Sequence, residues 1–156
     1  MSTMEKLFSP FTVKNIRLKN RIVMPPLASF LIGNDGSITG ATIEHYRRRA
    51  AGGPAMIMME ACAVSPEGIV SPHQPVIYDD CYIEGLSKIA AAIKAEGAVP
   101  ALQIHHGGRQ TSARPVRTVT RWPARDTPAR CRGYSAPGRQ RHPDTKENLV
   151  AARLGP

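Results

Sequence analysis

Three short clusters carry the side chains whose types and spacing suit ligand chemistry. They are Pro25-Pro26-Leu27-Ala28, Glu60-Ala61-Cys62 and Gln103-Ile104-His105-His106-Gly107-Gly108-Arg109. Gln103 stands near the end of an apolar run, where a buried amide needs a partner and offers a donor and an acceptor together. Ala28 and Ala61 leave room for a flat ring to approach the backbone. Pro25 and Pro26 fix the course of the chain, so the amides that follow can be aimed at a ligand. Each feature also has a plainer reading. A Pro-Pro pair makes a stiff turn, small residues pack, and a Gln at a strand end satisfies a nearby loop. His105-His106 suggests metal or acid–base chemistry, but neighbours on a strand face opposite sides and no second ligand set lies nearby, so no metal site is assigned. Gly107-Gly108-Arg109 is a weak anion-cradle signal beside a full phosphate loop. Cys62 reads as a buried, inert thiol rather than a nucleophile.

The elements that must position these clusters follow from hydrophobic patterning. Phe11–Val13 and Ile16–Leu18 flank Lys14-Asn15 as a small hairpin. Arg21–Met24 is a short strand halted by Pro25-Pro26, and Asn34-Asp35-Gly36 is a turn signal. A helix from about Ala41 to Ala51 puts Ile43, Tyr46 and Ala50 on one face, and Gly52-Gly53 ends it. Ala55–Met59 is apolar at every position, the mark of a strand covered on both faces in a parallel sheet. Asp79-Asp80 opens a helix to Glu96 with Ile83, Leu86, Ile89, Ala90 and Ile93 inward, and Val99–Ile104 is the next strand. The alternation of strand and helix defines an α/β fold with parallel strands. Ligands in such folds sit at the carboxyl ends of the strands, where all three clusters fall.

Composition limits the partners. Of the formal +9 charge, residues 111–156 hold nine Arg and one Lys against Asp126, Asp144 and Glu147, which leaves eleven basic against nine acidic residues elsewhere. The basicity therefore belongs to the tail, not to a basic face of the body. In that tail Arg and Pro recur every few residues and apolar residues are sparse, so 113–156 is expected to be largely disordered, with at most a helical turn over Asn148–Leu154. No apolar stretch approaches bilayer-spanning length, and the start lacks the pattern of a secretory signal. Three widely spaced cysteines without a Cys-x-x-Cys pair argue against a disulfide framework or a zinc site and fit a reducing cytoplasm.

Taken together, the motifs resemble a known family. Leu7-Phe8-Ser9-Pro10, Leu18–Pro26, His45-Tyr46, Arg49-Ala50, Glu60–Val64, Pro66-Glu67-Gly68 and Leu102–Arg109 are similar, in order and spacing over about residues 4–112, to the opening of the old yellow enzymes, the NADH:flavin oxidoreductases. The resemblance implies the N-terminal portion of a (β/α)8 TIM barrel, about three strands and two helices, occupying 1–112. It also implies FMN at the carboxyl face, hydride from NADH or NADPH, and an activated alkene as substrate. Carried over by position, Pro25, Pro26, Leu27 and Ala28 would face the flavin through their backbone, Ala61 would lie against the ring, and Gln103 would hydrogen-bond its pyrimidine edge. Phe30 falls where some members place a substrate-contacting Tyr. Ala28 falls where many have a Thr or Cys that tunes the flavin. The family's fourth-strand His pair is not recognisable and His142 does not match it, so no catalytic residue is assigned. A barrel of this kind takes roughly 250 residues. The expectation is a truncated fragment, its reading frame altered or its gene cut near residue 113, with weak or absent FMN binding and no turnover.

Two rivals from other classes remain at this point. The tail could bind nucleic acid unspecifically through charge, in a salt-sensitive way, although Trp122 and Tyr134 are too few aromatics for a stacking platform. Alternatively the chain could be a functionless product that associates through open strand edges.

Overall fold

The computed structural model describes residues 3–111. The expected disorder of 113–156 and the helical turn within it lie outside that span. A short helix α1 (Thr3–Phe8) leads into an antiparallel hairpin, β1 (Phe11–Val13) and β2 (Ile16–Leu18), paired Phe11 to Leu18. The turn residue Lys14 sits at φ 52°. Arg21 fixes the passage out of the hairpin: its amide donates to Leu7 O and its guanidinium lies 4.8 Å from the Phe11 ring.

Three strands then build one parallel sheet in the order β3 (Val23–Met24), β4 (Met56–Ala63), β5 (Val99–His105). Helices α2 (Gly40–Ala51) and α3 (Ile83–Ala95) form the crossovers. Both pack on one side of the sheet, where Tyr46, Ala50, Ile89 and Ile93 meet Ile57, Met59, Cys62 and Ala98 in a single core. The anticipated α2 face is present in Tyr46 and Ala50, both fully buried, with Ile43 packed at the margin; Thr42 is buried as well. The α3 stripe buries Ile89 and Ile93, whereas Ile83 is left exposed because a 3-10 turn over Asp80–Tyr82 precedes the helix and shifts its first residue off the core face. Asp79 caps that turn, accepting from Cys81 N at 2.9 Å. Thr39 caps α2, accepting from Thr42 N.

Strand β4 runs four residues past the expected end at Met59, and β5 one residue past Ile104. Glu60 is the reason the apolar run looked finished. A bulge there sets Met59 opposite Leu102 and Ala61 opposite Gln103, so Glu60 is the extra residue of β4. Such a bulge re-aims a side chain without ending the strand. Cys62 is a free buried thiol.

Candidate functional site

The three carboxyl ends are neighbours, as a site at their tips requires, but they are not level. β3 pairs only with the start of β4, Val23 with Met56 and Met24 with Ile57, while β4 and β5 continue together to Ala63 and His105. The segment after Met24 therefore continues beside β4 until Ser29 reaches Glu60. There Ser29 N donates to Glu60 Oε2 at 3.0 Å and Ser29 Oγ donates to Oε1 at 2.6 Å. From the helix side Tyr46 Oη donates to the same Oε1 at 3.1 Å and accepts from Glu60 N at 3.0 Å. Glu60 is 2% exposed, so these donors satisfy a carboxylate almost wholly removed from water. Burial is the first cause, and Glu60 a further one, of a Tyr46 hydroxyl pushed well above its usual range.

Ala61 and Gln103 are direct cross-strand partners. Alternation puts them on the face of the sheet away from the helices, since Met59 and Cys62 belong to the core between sheet and helices. The expectation of a buried Gln103 is corrected. The residue is exposed, and its amide has no hydrogen-bond partner among the described residues. Pro25, Leu27 and Ala28 are exposed and Pro26 is half-buried. The amides of Leu27 and Ala28 likewise have no partner among the described residues. Phe30 lies on the same connection, 65% exposed, at φ 57°. The free amide beside a methyl-sized neighbour, and the two free N–H groups after a stiff Pro-Pro, are donors of the kind a flat heterocycle takes.

Four further residues of the third cluster, His105, His106, Gly107 and Gly108, hydrogen-bond within the chain. Gln74 Oε1 accepts from Val70 N, so its Nε2 donates to His105 Nδ1 at 3.1 Å. His106 Nδ1 accepts from Gly108 N, and Gly107 N donates to Gly68 O. Both glycine amides are thereby occupied, and the anion-cradle reading of Gly107-Gly108-Arg109 does not hold. Burial, with the Glu60 charge second, pushes the Cys62 thiol up to about 12, the setting of an inert thiol. Motif reading missed Ser29, and it named Tyr46 and Glu60 without the bond between them. The available signal was Glu60 itself, one charge inside an eight-residue strand of otherwise apolar residues.

Parallel strands joined by helical crossovers that pack on one face of the sheet are the repeating unit of a β/α barrel, of which the described residues form part. The sequence profile described as the NADH:flavin oxidoreductase / NADH oxidase family matches residues 6–142. The chain belongs to that family. The match runs past the boundary expected at residue 112. Solved structures agree. A 2-naphthoyl-CoA reductase in complex with 2-naphthoyl-CoA is 27% identical, with a TM-score of 0.69 over 74% of this chain and 17% of its own. An old yellow enzyme homologue from Zymomonas mobilis is 32% identical, with a TM-score of 0.61 over 65% of this chain and 28% of its own. Morphinone reductase is 30% identical, with a TM-score of 0.63 over 67% of this chain and 27% of its own. The chain thus spans under a third of the length of these relatives. Among the described residues no helix is long and apolar enough to cross a membrane.

Proposed function

We propose that this chain carries the isoalloxazine-facing wall of an FMN-dependent ene-reductase. Ala61 leaves the ring room, the Gln103 amide reads its pyrimidine edge, and the Leu27 and Ala28 amides donate to it. Phe30 presents an apolar surface to a substrate. When bound, FMN supplies the hydride relay from NADH or NADPH to an activated alkene. Ala28 offers no hydroxyl or thiol, so the only groups this segment can offer the ring are its backbone amides.

The observation that carries the reading is the Ala61–Gln103 pair, side by side on the face that no described element covers, with the amide unpartnered among the described residues. A side-chain amide contributes about 1 kcal/mol per hydrogen bond to a neutral partner, or roughly fivefold in affinity. The test is titration of the full chain with FMN, followed by flavin fluorescence and absorbance. The expected result is weak, saturable binding, lowered about fivefold in Gln103→Leu. An unaltered flavin spectrum at millimolar FMN, or equal affinity in Gln103→Leu, overturns it.

A further inference from the structure

The connection between β3 and α2 contains an aromatic residue in a backbone conformation that L side chains rarely adopt. Phe30 sits at φ 57°, and its ring remains 65% exposed, so core packing does not hold it there. A left-handed non-glycine residue persists only where its surroundings over-determine it. The structure shows what does so.

On the N-terminal side, Ser29 is bound twice by the Glu60 carboxylate, through its amide and its hydroxyl. The same hydroxyl oxygen accepts from Leu31 N at 3.2 Å, bridging directly across Phe30. On the C-terminal side, Leu31 O accepts from Thr39 Oγ1 at 2.7 Å and from Thr42 Oγ1 at 2.8 Å, both at the start of α2. Next along, Ile32 is 3% exposed within the core, and its carbonyl meets His73 Nδ1 at 3.1 Å. Phe30 is therefore bracketed by residues tied to β4 on one side and to α2 on the other.

Glu60 anchors this arrangement. It carries a charge in an apolar strand, lies at the bulge, and spends both carboxylate oxygens on Ser29 and Tyr46. Burying a charge is costly unless it is well hydrogen-bonded, and here the partners that satisfy it are Ser29 and Tyr46. What it secures is the loop that carries Ala28 and Phe30.

We infer that Glu60 is a positioning residue: through Ser29 it holds Phe30 in its left-handed conformation, presenting a fixed aromatic face to a flat, conjugated ligand at the strand tips. The loop geometry is a property of this chain alone. Its ligand-facing purpose rests on the function proposed above.

The test uses the full chain and separates the two. Amide hydrogen exchange is measured by mass spectrometry on peptides covering 27–33 and, as an internal reference, 55–62. Ser29→Ala removes two hydrogen bonds, Ser29 Oγ to Glu60 and Leu31 N to Ser29 Oγ, and their loss opens a segment by about tenfold or more. Ser29→Ala is expected to raise exchange across 27–33 about tenfold while leaving 55–62 unchanged, and Ser29→Thr to restore protection. Glu60→Gln, which keeps the side chain's shape, should act like Ser29→Ala on the loop. If Glu60→Gln fails to fold, Ser29→Ala decides alone. Exchange in Ser29→Ala equal to that of the unaltered chain overturns the inference. In parallel, FMN titration should show weaker binding in Ser29→Ala, about fivefold, with recovery in Ser29→Thr. Absence of flavin binding in the unaltered chain defeats the proposed function and with it the ligand-facing half of the inference, whatever the exchange data show for the loop. FMN bound equally by Ser29→Ala, despite a loosened loop, defeats that half alone.

Discussion

Phe30 and Cys62 show how position decides the cost of a side chain. At φ 57° a glycine has no Cβ to crowd the following carbonyl, whereas alanine keeps the strain and loses the ring. Because the ring is mostly exposed, its removal forfeits little burial. Phe30→Gly is therefore expected to be more stable than Phe30→Ala by about 1 kcal/mol in urea unfolding. Equal stabilities would mean that the loop relaxes out of the left-handed region once the ring is gone. Cys62 makes a different prediction. Burial, then the Glu60 charge, raises its thiol from 9.0 to about 12. The unfolded chain ionises from about pH 9, so the contribution is intact below that pH and is lost as pH rises from 9 towards 12. Alkylation of Cys62 at pH 8 should be slow until urea unfolds the chain. The stability gap between the unaltered chain and Cys62→Ala should narrow between pH 8 and pH 10.5.

Elements explain which parts of the fold were legible in the sequence. Helix α2 and strand β4 announce themselves because their burial is periodic or continuous. Tyr46 and Ala50 lie one turn apart on the core face, and Met56–Met59 is apolar throughout. The end of β4 was not legible, because a buried, satisfied carboxylate and an exposed one are the same letter; Glu60 differs only in meeting Ser29 and Tyr46, residues 31 and 14 positions away. For the same reason Gln103 was expected to be buried: its strand is apolar, but no described element covers its face. Ser29 was invisible as a site residue, since its importance lies in the partner it reaches. The capping residue Thr39 was also unremarked, and it does two jobs at once, accepting from Thr42 N and donating to Leu31 O. Thr39→Ala is therefore expected to cost about 1–2 kcal/mol by thermal or urea unfolding, more than an ordinary cap of about 1 kcal/mol. Thr39→Ser should recover most of it. A loss below about 0.5 kcal/mol in Thr39→Ala would show that Thr42 alone carries the Leu31 contact.

At the scale of the whole molecule, the sheet's two faces have different fates. One face of β4 is sealed by α2 and α3. On β5, by contrast, Leu102 and Ile104 alternate on the helix side with 40% and 58% of their surface exposed. Their partners Met59 and Cys62 are at 3% and 0%. The core thus stops abruptly one strand short of an edge, among the described residues. Family membership extends the match to residue 142, beyond the last described strand. Two outcomes of Ile104→Ser separate a bare edge from a covered one. If Ile104 faces water in the full chain, the substitution changes stability by less than about 0.5 kcal/mol and lowers the emission of an apolar dye such as ANS. If residues after 111 fold onto it, the same change buries a hydroxyl and removes a packed side chain, at about 2–4 kcal/mol, and the dye gives little signal with either chain. The first outcome is expected from the exposure of Ile104. It would also make the β5 edge and its apolar neighbours a surface that associates as concentration rises, which sedimentation across a tenfold concentration range would register as a growing mean mass.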